Sequence, residues 1–77
     1  MTFETVKNII VETLQCDADE VTMETNIAED LNADSLDIVE LNMAIETEFG
    51  MSISDEELVN LKTVADIVGF IDAKKGA

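Results

Sequence analysis

The chain has no Arg, His, Pro, Trp or Tyr, and Cys16 is its only cysteine. Each gap removes a class of function. Without His it lacks the side chain most used as a general acid or base near neutral pH. A serine such as Ser35 then has no imidazole to activate it, which argues against a hydrolase and against an enzyme of any kind. One cysteine can form neither an internal disulfide nor a multi-cysteine zinc site. A lone thiol fits a reducing, cytoplasmic setting. Four Lys face 18 Asp and Glu, for a formal net charge of −14, so no basic face exists to neutralise nucleic-acid phosphates. No apolar run is long enough to span a membrane. The opening Met1-Thr2-Phe3-Glu4 lacks the basic end and apolar core of a signal peptide.

What is present is 47% apolar residues in 77, too many for a disordered chain and enough for one small domain over 1–77. The apolar spacing is helical, and no segment alternates as a strand. Phe3, Val6, Ile10 and Leu14 predict a helix over 3–14 with Thr2 as its cap. A second runs over 35–49 and stops at Gly50. A short third starts at Ser54, where Ser54 and Glu57 have capping-box spacing. The last covers 64–74, with Thr63 and Asp66 repeating that spacing and Lys74 and Lys75 at the negative end of the dipole. The expectation is an all-α fold: a small four-helix bundle, three helices longer and one short, with a long loop over 16–33. Val21, Ile27 and Leu31 are spaced to pin that loop to the core, and 27–31 is its candidate helical turn.

Charge is distributed unevenly. Residues 8–61 hold no basic side chain and 15 acidic ones. That one-sidedness favours recognition by partners with basic patches, and the like charge favours a monomer.

Advancing 100° per residue from Leu36 puts Ile38, Leu41, Ile45 and Phe49 on one side of the second helix. Leu36, Val39 and Met43 form a second stripe nearly opposite, rimmed by Asp37, Glu40, Glu46 and Thr47. A surface helix in so small a domain cannot readily bury both sides. Three apolar residues in register, edged by carboxylates, read as a docking face. Met suits a face that must accept several partners. At the helix start, Asp34 is placed to cap and Asp37 to answer it three residues on, leaving Ser35 at the first helical position with its hydroxyl outward. Such a terminus favours an attached phosphate through its backbone donors and dipole, against the opposing charge of the flanking carboxylates.

The stretch Asp34-Ser35-Leu36-Asp37-Ile38-Val39-Glu40-Leu41, then Met43-Ala44-Ile45-Glu46 and Glu48-Phe49, resembles the signature of acyl carrier proteins. Upstream Glu29-Asp30-Leu31 and downstream Ile53-Ser54-Asp55-Glu56-Glu57 and Thr63-Val64 are also similar to that family. The resemblance covers essentially the whole chain. It implies that Ser35 receives phosphopantetheine from coenzyme A through a phosphopantetheinyl transferase. It implies further that the arm's thiol carries acyl chains as thioesters to fatty acid synthesis enzymes. It makes Asp34, Leu36, Asp37, Val39, Glu40, Met43 and Glu46 the partner-binding residues. Ile45, Ile53, Leu58 and Leu61 become candidates for lining an acyl cavity.

Three residues depart from the family pattern. Asn42 stands where an apolar residue is usual, Thr47 interrupts an acidic run, and Ser54 replaces a frequent Pro. Polyketide or other specialised lipid carriers share the motif. The main rival from another class, a calcium-binding protein, fails on spacing. Asp30-x-Asn32-x-Asp34 opens like an EF-hand loop but has Ser35 where Gly is needed and Leu41 where a bidentate Glu is needed. No specific metal site is expected. Cys16 lies among carboxylates, which disfavour a thiolate, so it reads as partly buried and inert.

Overall fold

The structure, a computed structural model, describes residues 2–76, with side chains as far as Lys74. Five α-helices follow one another: α1 Thr2–Leu14, α2 Ile27–Asp30, α3 Ser35–Phe49, α4 Asp55–Leu58 and α5 Val64–Gly76. Among the described residues no strand forms; Asn26 and Thr63 make an isolated bridge. The helix α1 packs against both α3 and α5. Its Val6 and Ile10 are fully enclosed, and Leu41, Ile45, Val64, Ile67 and Ile71 meet them from the other two long helices. These are the positions that helical periodicity brings to one face.

Two expectations change. Thr2 lies inside α1, and its hydroxyl donates to the Asp72 carboxylate on α5. It therefore ties the two helices together and does not cap α1. The connection after α1 is also more ordered than a loop. It contains a 3₁₀ turn, Ala18–Glu20, and the helical turn expected over 27–31 forms as the one-turn helix α2, which brings the α-helices among the described residues to five. Asn26 Oδ1 caps α2 by accepting the Glu29 N–H at 2.9 Å, and the Asp30 carboxylate returns the bond to the Asn26 N–H at 2.8 Å.

That segment is held to the rest of the domain by backbone bonds. Ile27 N–H donates to the Lys62 carbonyl at 3.0 Å, Val64 N–H to Thr25 at 3.0 Å, and Ala65 N–H to Met23 at 2.9 Å. Val21, Ile27 and Ala33 are buried beneath it, while Leu31 is half-buried. Thr25 is buried as well, and its hydroxyl accepts the Thr22 N–H and donates to the Glu20 carbonyl. A buried hydroxyl needs such partners, and here the loop itself supplies them.

The expected caps at the other helices form. Ser54 Oγ accepts the Glu57 N–H and the Glu57 carboxylate accepts the Ser54 N–H, each at 3.2 Å. Thr63 Oγ1 accepts the Asp66 N–H at 3.2 Å, and the Asp66 carboxylate accepts the N–H groups of Thr63 and Lys62. The Lys74 ammonium lies 3.7 Å from Glu57, an exposed pair worth little by itself. The Lys75 side chain lies outside the described residues.

These caps carry a pH dependence. The Ser54 N–H holds the Glu57 carboxyl below its usual 4.5, and those of Thr63 and Lys62 hold Asp66 below its usual 3.8. A carboxyl whose pKa is lower in the folded chain stabilises the fold above its unfolded value; that contribution is lost as pH falls through the folded value. The E57Q/D66N variant should therefore melt below wild type by a constant margin near neutrality. The margin should shrink as pH drops from the usual values of 4.5 and 3.8 through the lower folded ones. Melting curves from pH ~7 to ~3 test this, and a margin that widened in acid would contradict it.

Candidate functional site

The start of α3 is built by three local features. Asn32 takes a left-handed conformation (φ 54°), one of the few non-glycine residues to do so readily. Ala33 follows and is buried, anchoring the turn. Asp34 then caps α3: its Oδ1 accepts the Asp37 N–H at 2.9 Å, and Asp37 Oδ2 accepts the Asp34 N–H at 3.2 Å. This reciprocal box fixes where the helix begins and sets Ser35 as its first residue, exposed. Among the described residues nothing bonds to the Ser35 hydroxyl, so it is held in place by the backbone and left open to reagents.

From this point α3 presents two faces, as its periodicity requires. Leu41 and Ile45 are buried, with Ile38 and Phe49 half-buried beside them. Leu36, Val39 and Met43 stand 74%, 47% and 59% exposed, with Asp34 and Glu40 exposed and Asp37 half-exposed around them. The loop does not cover this stripe.

Glu46 differs from the exposed Glu40 and Glu48 on the same helix. It is half-buried, and its Oε2 accepts the Ile53 N–H at 2.7 Å. This bond depends on the left-handed Gly50 (φ 62°), which ends α3 and turns the chain back so that the Gly50 and Met51 N–H groups both reach the Glu46 carbonyl. Glu46 thus holds the turn after α3, and replacing it would disturb that turn as well as any partner.

Ser35 opens onto a groove of about 460 Å³ between α2, α3 and the segment after α4. Ile38, Val39, Leu58 and Leu61 form its apolar floor, with Glu29 and Lys62 among its polar lining. Val59, also on the groove, is 68% exposed. Sequence periodicity does not mark Val59 or Lys62, because they lie in the irregular stretch after α4. Further in, a smaller apolar cavity brings together Ile45, Ile53, Leu58 and Leu61 with Ile38 and Leu41. An exposed hydroxyl among the residues that line an open, largely apolar groove fits a group attached by one end and lying against the protein.

The two acidic residues of the EF-hand-like stretch serve the backbone: the Asp30 carboxylate accepts the N–H of Asn26, the cap of α2, and Asp34 itself caps α3. Burial, then the charge of Glu20, pushes the Cys16 thiol above its usual pKa, so it is a poor nucleophile.

Comparison with known proteins agrees with this geometry. Residues 4–71 match the family described as "Phosphopantetheine attachment site". The chain is 55% identical to an acyl carrier protein of Helicobacter hepaticus over 74 residues, covering 96% of this chain and 97% of that one. It is 53% identical to one of Petrotoga mobilis over 72 residues, covering 94% and 85%. The solved structure of acyl carrier protein from Enterococcus faecalis superposes with a TM-score of 0.79 at 39% identity, covering 94% of this chain and 91% of that one. A phosphopantetheine-bearing carrier is the class these matches define, and the chain belongs to the acyl carrier protein family. The family functions in fatty acid synthesis, with phosphopantetheine as its cofactor.

Proposed function

We propose that Ser35 Oγ is where phosphopantetheine is joined, and that α3 presents the loaded arm to successive enzymes. The observation that carries this reading is the exposed Ser35 hydroxyl, unbonded among the described residues, on the lining of an apolar groove. When bound, the arm supplies the thiol that holds acyl groups as thioesters. The polypeptide contributes position, not catalysis: it holds no imidazole, and its Cys16 thiol is kept protonated. Asp34 and Asp37 fix the helix start, so the transferase meets Ser35 in one orientation. Leu36, Val39 and Met43 provide a small apolar contact, while Glu40 and the surrounding carboxylates draw in partners with basic patches. Weak apolar contact with strong steering suits a shuttle that must leave each enzyme as readily as it arrives.

The groove and the cavity behind it, lined by Ile45, Ile53, Leu58 and Leu61, take the acyl chain in transit. The chain acts as a single domain and a monomer in the cytoplasm, kept apart from its own copies by its negative charge.

The docking face is tested by reversing one charge that has no structural duty. Glu40 is exposed, unlike the half-buried Glu46. Glu40→Lys should lower kcat/KM for arm transfer from coenzyme A by about 10-fold at low ionic strength, within the range that steering produces. The deficit should close as salt screens the field, near ~0.5 M. Far-UV circular dichroism should not change. Equal rates at low salt would remove the docking face from the account.

A further inference from the structure

The inner cavity is apolar except at one residue. It measures about 20 Å³, and among its lining side chains only Asn42 is polar. Asn42 lies midway along α3, between the inner and outer stripes. Its Oδ1 is buried, and among the described residues no hydrogen-bond donor reaches it. A buried carbonyl oxygen without a donor costs stability, because the bonds it makes to water in the unfolded chain are not replaced. Leucine has the same branched shape and would line the wall at no such cost. The oxygen is therefore suited to a donor brought by a bound group, since none of the described residues supplies one.

The choice of donor follows from the cargo. A saturated or unsaturated acyl chain has no polar hydrogen. An oxoacyl chain brings another acceptor, which an amide oxygen repels. A hydroxyacyl chain brings an O–H that can satisfy the orphan oxygen, while the rest of the chain, too large for the cavity, lies along the adjoining apolar groove, which shares Ile27, Ile38, Leu58 and Leu61 with it. We propose that Asn42 is a cargo-selecting residue, whose Oδ1 accepts a hydrogen bond from hydroxyl-bearing acyl thioesters. The carrier then shelters hydroxyacyl chains in preference to saturated or oxoacyl chains of equal length. This rests on the reading that Ser35 bears the arm and that the cavity admits the acyl group.

The test loads Ser35 with octanoyl-, 3-hydroxyoctanoyl- or 3-oxooctanoyl-phosphopantetheine and compares melting temperatures. In wild type the hydroxyacyl form should melt about 4–8 °C above the saturated one, the shift expected when one buried hydrogen bond is gained in a domain of this size. The oxoacyl form should melt no higher than the saturated one. In Asn42→Leu the advantage of the hydroxyl should disappear or reverse, and the unloaded variant should melt no lower than unloaded wild type. The wild-type comparison decides the matter even if the variant fails to fold. Equal melting of the saturated and hydroxyacyl forms would overturn the proposal, as would the same hydroxyl advantage in the variant. Preferential stabilisation by the oxoacyl chain would also overturn it, since that places the amide N–H inward. Intact mass is read first: a chain that accepts no arm at Ser35 defeats the carrier reading itself, and this proposal with it.

Discussion

Ser35→Ala should give a protein that folds and melts like wild type but accepts no phosphopantetheine and carries no acyl group. The two halves of that result have separate causes. The Ser35 hydroxyl is exposed and unbonded among the described residues, so its removal leaves no group unsatisfied. Alanine is also the best helix former at a helical position, so the stability change should stay within about 0.5 kcal/mol. Chemically, however, the oxygen that forms the ester is gone. Ser54→Ala should show the reverse pattern. There the hydroxyl caps α4 by accepting the Glu57 N–H, and losing a cap of this kind costs about 1 kcal/mol. That variant should melt about 4–8 °C lower yet load normally. Intact mass and thermal melting, run on both variants, separate the reactive serine from the structural one. Loss of folding in Ser35→Ala would mean that the residue has a packing role the geometry does not contain.

Ile71→Ala should have the largest effect on stability. Ile71 is fully buried on α5, in the core shared with α1 and α3. Truncating an enclosed isoleucine costs about 2–5 kcal/mol, the lost transfer energy plus the cavity left behind. Stabilities of roughly 0.05–0.15 kcal/mol per residue leave a chain this short little reserve. The crowded carboxylates lower the reserve further by mutual repulsion. The variant should melt more than ~10 °C below wild type and be partly unfolded at low ionic strength. Added salt should recover some of the fold by screening that repulsion. Leu36→Ala is the control. Leu36 is 74% exposed, so its truncation should leave the melting temperature nearly unchanged while weakening enzyme contact. If Leu36→Ala destabilised as much as Ile71→Ala, Leu36 would be packed in the core and could not belong to an outer face of α3. Chemical denaturation with a matched salt series is the measurement.

The parts of the fold legible in the sequence are those with a repeating pattern. Val6 and Ile10 on α1, Leu41 and Ile45 on α3, and Ile67 and Ile71 on α5 recur at helical spacing, and each is buried. The caps at Asp34, Ser54 and Thr63 were legible because the pairing of a small polar residue with an acid three positions on is a local signal. The segment between α1 and α3 is legible only in part: Val21 and Ile27 are buried and the turn over 27–31 forms as α2, but the 3₁₀ turn at Ala18–Glu20 has no period, and the bond from Ile27 N–H to Lys62 joins distant parts of the chain. Thr2 misled for a related reason. Its type and place suit a cap, but Asp72 on α5 supplies a tertiary partner.

The site divides along the same line. The exposed Leu36, Val39 and Met43 follow from helix phase, and the place of Ser35 follows from the capping pair Asp34 and Asp37, while its role comes only from the resemblance. The bond from the Ile53 N–H to Glu46 depends on the turn at Gly50, and the orphan Oδ1 of Asn42 depends on what packs around it; phase carries neither. Asn42 stands out in the sequence as a polar residue where the family pattern has an apolar one, at the edge between the two faces of α3.

The attachment point is tested most directly by finding the atom that carries the arm. Wild-type protein is incubated with coenzyme A and a phosphopantetheinyl transferase of broad specificity, digested, and sequenced by tandem mass spectrometry. The account requires one phosphopantetheine per chain, located on Ser35. An arm found on Ser52, Ser54 or Cys16, or a chain that remains unmodified, would contradict it.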